Sequence, residues 1–152
     1  MDLKLIKSFQ VDHDKLKPGM YISRIDGDIV TYDLRLKVPN AGDYLQTAAL
    51  HTIEHLFATY VRSSTYADKI IYFGPMGCRT GFYFITRALE HEKVIELTKQ
   101  AFNFIKNFEG DIPGAKRKEC GNYLDHDPIG AKREAAEYLK VLENVTVDSL
   151  NY

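Results

Sequence analysis

His51 and His55 stand four residues apart with Glu54 between them, in the run His51-Thr-Ile-Glu-His55. On a helix this spacing puts both imidazoles on one face, one turn apart, where they can grip a single ion. The order H-x-x-E-H is the inverse of the H-E-x-x-H metalloprotease pattern, and in both the glutamate can act as a base beside the metal. Alone, the five residues are also compatible, as the minority reading, with two solvated or hydrogen-bonded helix histidines. Cys120 changes that balance. It lies in a downstream loop, Lys118-Glu-Cys-Gly-Asn122, where the following glycine lets the backbone approach a helix and present a thiolate as a third ligand. Two neutral imidazoles and one thiolate leave a divalent ion with net positive charge, and an open fourth position would make it a Lewis acid. A free cysteine is otherwise most often a small buried hydrophobe. His126 is a competing ligand, read here as a surface residue at a helix entry.

Cys78 is the second cysteine, between Gly77 and Arg79. A neighbouring cation lowers a thiol below its free pKa of about 8.5 and makes it a usable acid or base at neutral pH. Position alone suits an inert turn cysteine as well as a reactive one. With only two cysteines, thiols or metal ligands explain them better than a structural bridge in a reducing compartment.

The elements that must carry these residues follow from periodicity. Residues 20–24 and 29–37 alternate as strands, and the Asp26-Gly27 step between them is a hairpin signal. In the second run Val30, Tyr32, Leu34 and Leu36 share one face, while Thr31, Asp33, Arg35 and Lys37 form the polar one. From about Leu45 to Arg62 the residues Ala49, Leu50, Ile53, Phe57, Tyr60 and Val61 make one helical stripe that carries the histidine pair. Residues 69–73 and 82–87 suit two more strands, joined by the glycine-rich turn from Gly74 to Gly81. A second helix is expected from about Glu90 to Phe108, with Val94, Leu97, Ala101, Phe104, Ile105 and Phe108 inward and Gly110 just past its end. Asp127 and Pro128 look like the N-cap and first residue of a third, with Ala131, Ala135, Tyr138 and Leu142 on one face. Together these predict an α+β fold: an antiparallel sheet covered by helices, in one domain spanning residues 1–152.

Composition agrees. The 152 residues are 45% hydrophobic, enough for one core. Twenty lysines and arginines against 21 aspartates and glutamates give no overall field for nucleic acid, an anionic membrane or a polybasic substrate. The first seven residues mix charges with apolar side chains, so neither a signal peptide nor a membrane helix is expected and a cytoplasmic location is.

In order along the chain, Ser8 to His13 (SFQVDH), Tyr32 to Arg35 (YDLR), His51 to His55 (HTIEH), Pro75 to Cys78 (PMGC) with Thr80 to Tyr83 (TGFY), and Glu119 to Gly121 (ECG) resemble the S-ribosylhomocysteine lyase (LuxS) family. The resemblance runs from about residue 8 to the Gly130–Arg133 stretch. It implies an α+β sandwich with a four-stranded antiparallel sheet, and cleavage of the thioether of S-ribosylhomocysteine to homocysteine and 4,5-dihydroxy-2,3-pentanedione, the precursor of autoinducer 2. It further implies a homodimer with sites at the interface, and one divalent metal per subunit, usually Fe(II), with Zn or Co also compatible with the ligands. By the same resemblance His51, His55 and Cys120 are the metal ligands, Glu54 and Cys78 the two general acid/base residues, and Ser8, His13 and Arg35 bind substrate, the N-terminal segment crossing to the other subunit. Two positions depart from some relatives: Tyr72, where aspartate occurs, and Thr31, where lysine occurs. Two other readings use the same residues, a metallohydrolase with Glu54 as base and a zinc-stabilised binding module with His126 closing the fourth position.

Overall fold

The computed structural model describes residues 1–152. Four strands, β1 (Gly19–Asp26), β2 (Ile29–Arg35), β3 (Ile70–Pro75) and β4 (Gly81–Arg87), form one antiparallel sheet in the order β1-β2-β4-β3. The β1–β2 hairpin turns at Gly27, whose φ of +63° suits a residue without a Cβ. Where β2 meets β4, Gly81 is required: a Cβ there would sit 2.2 Å from the Leu34 carbonyl oxygen. The four-residue α1 (Lys7–Gln10) precedes the sheet, and α2 (Thr47–Arg62), α3 (His91–Lys106) and α4 (Pro128–Leu142) pack on one face of it and on one another. Short 3-10 turns occupy Ala67–Lys69 and Val147–Ser149.

The helices and one sheet face enclose a single core of 27 buried residues. Its centre is aromatic: Phe57 of α2 stacks on Phe73 of β3 at 3.9 Å and meets Phe84 of β4 edge-on at 4.9 Å. Such contacts are worth about 0.5–1.5 kcal/mol each beyond the area they bury. This core fixes α2 against the sheet and so fixes the face of α2 that carries His51, Glu54 and His55, all half-buried. Asp127 caps α4 as expected, accepting from the Gly130 N–H at 2.9 Å with Pro128 behind it.

The structure corrects several expectations. Helix α2 begins at Thr47, and α3 ends at Lys106, where the Asn107 side chain bonds back to the Asn103 carbonyl at 2.9 Å. Phe102, not Phe104, enters the deep core, while Phe104 packs at its margin against Tyr60. Lys69 belongs to the 3-10 turn, and β3 runs on to Pro75. The second face of β2 is not solvated: Asp33 and Arg35 are 0% and 3% exposed. Period-two alternation separates the two faces of a strand but does not say whether a second layer covers the polar one.

Candidate metal centre and acid/base cleft

Three histidines and a cysteine meet beside the N-terminal half of α2. Potential ligand atoms of His51, His55, Cys120 and His126 all lie within 4.8 Å of one another. Cys120 Sγ is 3.4 Å from His51 Nε2 and 3.9 Å from His55 Nε2. The loop between α3 and α4 sets both imidazole tautomers. His51 Nδ1 is 2.8 Å from the Asp125 carbonyl oxygen, and His55 Nδ1 is 2.8 Å from that of Pro113. A carbonyl only accepts, so each Nδ1 carries the proton and each Nε2 turns a lone pair toward Cys120. Pairing the outer nitrogen with a backbone carbonyl is the usual support of a metal-binding imidazole. The donor set and its tautomers therefore fit a borderline divalent cation of the iron, cobalt or zinc kind.

His126 is not the surface residue expected from its place before a helix. Its Nδ1 lies 3.0 Å from Thr52 Oγ1, whose own proton goes to the Ala48 carbonyl at 3.0 Å, so the hydroxyl accepts from His126. His126 Nε2 is thus a buried lone pair, and it has no hydrogen-bond partner. Burial first, and then His51 and His55, lower the pKa of His126 and keep it neutral. Its ring stacks on His51 at 4.0 Å with planes 21° apart, whereas His51 and His55 are nearly perpendicular at 4.6 Å. Stacked rings aim their in-plane lone pairs side by side, while perpendicular rings let them converge. His51, His55 and Cys120 are accordingly the better-directed donors.

A second cluster occupies a cleft of about 480 Å³ lined by Ser8, His13, Arg35, Cys78, Thr80 and Tyr83, among others. Cys78 is exposed there. The cation linked to it is not its neighbour Arg79, which bends away with φ of +61°, reaches the Leu45 carbonyl at 3.3 Å and lies over the Tyr44 ring at 5.9 Å. It is Arg35, whose Nη1 donates to Thr80 Oγ1 at 2.8 Å, with Thr80 Oγ1 3.1 Å from Cys78 Sγ. Arg35 Nη2 donates to Asp33 Oδ2 at 2.6 Å. Burial would lower the Arg35 pKa, but Asp33 outweighs it and the guanidinium stays charged. His13 Nδ1 bonds the Val11 carbonyl at 2.8 Å, which leaves Nε2 free.

The expected residues thus fall into two groups. Ser8, His13, Arg35 and Cys78 share the cleft; His51, His55 and Cys120 gather at α2 with Glu54 on the same helix face, and none of them lines that cleft. Asp33, Thr80 and His126 belong to these networks as well. For Asp33 and Thr80 the signal was present in the YDLR and TGFY blocks; for His126 it was proximity in sequence to Cys120.

A two-layer α+β chain with a histidine-cysteine cluster on one helix and a thiol beside a buried guanidinium is the framework of a small metal-dependent enzyme. The family model described as S-Ribosylhomocysteinase (LuxS) matches residues 6–148. The chain is 50% identical over 157 aligned positions to an S-ribosylhomocysteine lyase of Phocaeicola vulgatus, covering 99% of this chain and 98% of the relative. It is 46% identical to one of Borreliella burgdorferi and 44% to one of Clostridium acetobutylicum, each over 156 positions and 99% of both chains. The chain belongs to the S-ribosylhomocysteinase (LuxS) family.

Proposed function

We infer that this protein is a carbon–sulfur lyase that cleaves S-ribosylhomocysteine to homocysteine and 4,5-dihydroxy-2,3-pentanedione. The observation that carries the reading is the pairing, in a chain of this family, of the tautomer-fixed His51, His55 and Cys120 donor set with the Arg35–Thr80–Cys78 relay.

The thioether at C5 of the ribose resists direct cleavage but becomes a β-leaving group once a carbonyl reaches C3. Moving the carbonyl from C1 to C2 removes the proton from C2 and delivers one to C1. The next shift removes the C3 proton and protonates C2. Removal of the C4 proton then expels the homocysteine thiolate from C5. His51, His55 and Cys120 would hold a divalent ion, ferrous iron by the family resemblance, which would supply Lewis acidity for the enolisations. Glu54 and Cys78 carry the protons between adjacent atoms. Arg35, charged and buried, donates to Thr80 Oγ1, which in turn lies 3.1 Å from Cys78 Sγ, so a hydroxyl and the cation behind it face the sulfur that would move the protons. Ser8 and His13 hold the substrate at the mouth of the cleft, His13 through its free Nε2.

Because the Cys78 cleft and the His51–His55–Cys120 cluster do not share a concavity within one chain, the complete site is assembled in a homodimer, one subunit bringing its cleft and N-terminal segment to the other's cluster. Leu3, Leu5, Ile6 and Phe9, all exposed, give that segment the apolar surface an interface needs. No helix is long and apolar enough to cross a membrane, and use of both cysteines as thiols suits the cytoplasm. Release of a free thiol from S-ribosylhomocysteine by anaerobically purified protein is the assay; its absence from fully metallated dimer would reject the lyase reading.

The binding-module alternative, a closed zinc site with His126 as fourth ligand, is not favoured by the family match, although His126 does lie inside the cluster. In that case His126→Ala would lose its metal and Cys78→Ala would change no assay. The lyase reading expects the reverse: metal retained in His126→Ala and turnover lost in Cys78→Ala.

A further inference from the structure

Asp33 is fully buried yet takes no part in the chemistry above, and Tyr152, the last residue of the sequence, lies outside every block that carries the family resemblance. The two are joined: Tyr152 Oη donates to Asp33 Oδ2 at 2.6 Å, the oxygen that also accepts from Arg35 Nη2. From Arg35 the contacts continue through Thr80 Oγ1 to Cys78 Sγ. Arg35 donates to the Thr80 oxygen, so the Thr80 proton is left free to point at the sulfur. We propose that Tyr152 is a positioning residue for Cys78, acting through Asp33, Arg35 and Thr80 to hold the guanidinium and the Thr80 hydroxyl in place against the sulfur. The catalytic consequence rests on the acid/base role of Cys78 proposed above; the coupling itself does not.

The physical reason lies in how sparsely the buried pair is satisfied. Asp33 Oδ1 and Arg35 Nε have no hydrogen-bond partner, so the carboxylate depends on two donors, Arg35 and Tyr152. Burial and then Asp33 push the Tyr152 phenol far above its ordinary pKa, which keeps it a donor at every pH of interest. Its ring is held by stacking on Tyr21 at 5.0 Å with planes 20° apart. With the hydroxyl removed, Asp33 would be compensated by Arg35 alone. The guanidinium would be drawn toward the carboxylate and away from Thr80, loosening the contact that faces the sulfur. The other polar and titratable groups around Cys78 are Ser8 and His13 from the N-terminal segment, Asn40, Tyr44 and Arg79 from the flanking loops, and Tyr83 from β4, together with the other subunit's metal cluster in the proposed homodimer. They are the same in wild type and variant, so a difference between the two isolates the hydroxyl.

The test is the pH dependence of iodoacetamide labelling at Cys78, read by peptide mass spectrometry on metallated wild type and Tyr152→Phe, which keeps the ring on Tyr21. The expected result is a higher midpoint, with labelling at pH 7 slower by roughly threefold to tenfold and an unchanged plateau at high pH. The kcat on S-ribosylhomocysteine should fall by a similar factor with KM unchanged. Thr80→Val, which cuts the relay at its other end, should raise the midpoint too, and the double variant should show little further shift. An unchanged midpoint in Tyr152→Phe overturns the proposal, whatever happens to its thermal stability. So does an equal loss of labelling at every pH, which would mean altered access. A shifted midpoint in a protein whose Cys78→Ala form retains full turnover would uphold the coupling and reject the acid/base role.

Discussion

A single hydroxyl, that of Thr80, stands between the exposed thiol of Cys78 and the buried guanidinium of Arg35. On the proposed reading this thiol serves the chemistry and a separate cluster the metal, and substitutions should separate the two. Cys78→Ala should keep its metal and lose turnover by about 10²- to 10⁴-fold, the range for removal of a general acid/base. His55→Ala should lose both metal and turnover, measured by elemental analysis and thiol release on the same samples. Asp33→Ala leaves Arg35 buried without its carboxylate, and breaking a buried pair from one side costs about 3–5 kcal/mol; urea unfolding should report a loss of that order. Replacing both Asp33 and Arg35 by apolar residues should restore much of that stability without restoring turnover.

At the scale of elements, the loop between α3 and α4 holds the histidines of α2 by backbone alone, through the carbonyls of Pro113 and Asp125. The return into α4 is tight. A Cβ on Gly130 would sit 2.3 Å from Asp127 Oδ2 and 3.1 Å from Ala49 Cβ. Gly130→Ala should therefore break the Asp127 cap and push α4 off α2, costing about 1–3 kcal/mol. Since Asp125 and His126 lie just before that cap, metal retention in dialysis should fall with it, although no ligand is changed.

Much of this level was legible beforehand. The three long helices and four strands follow from apolar spacing, because each element buries one face against the same core. The boundaries at Thr47, Lys106 and Pro75 differ by a few residues, since end residues answer to local caps and turns more than to the core. Motifs flagged Arg35, Asp33 and His126, but three features of their placement stayed out of reach of pattern. Asp33 and Arg35 look like solvated charges on a polar strand face, and only their mutual pairing under Tyr152 makes their burial tolerable. His126 looks like a surface residue until α4 folds it against Thr52 and His51. The Tyr152 contact spans 119 positions, and nothing local to either residue encodes it.

For the whole molecule, the burial of His126, reinforced by His51 and His55 beside it, ties stability to pH when the metal is removed. The folded pKa of His126 lies below its ordinary value of 6.5, so the unfolded chain binds a proton first as pH falls. Stability of metal-free protein should be full above about pH 6.5 and decline below it until the folded-state pKa is passed. Thermal unfolding across that range, with His126→Phe as the comparison, should show the slope reduced in the variant. Metal should stabilise the fold by an amount that grows with its free concentration, because it binds the native cluster in preference to the unfolded chain.

The most direct test of the central claim is thiol release from S-ribosylhomocysteine by anaerobically purified protein, with metal content determined on the same sample. Release that is lost on chelation and restored by Fe(II), with about one metal per chain, is the expected result. Protein carrying that metal and releasing no thiol would contradict the assignment of His51, His55, Cys120, Glu54 and Cys78 to this reaction.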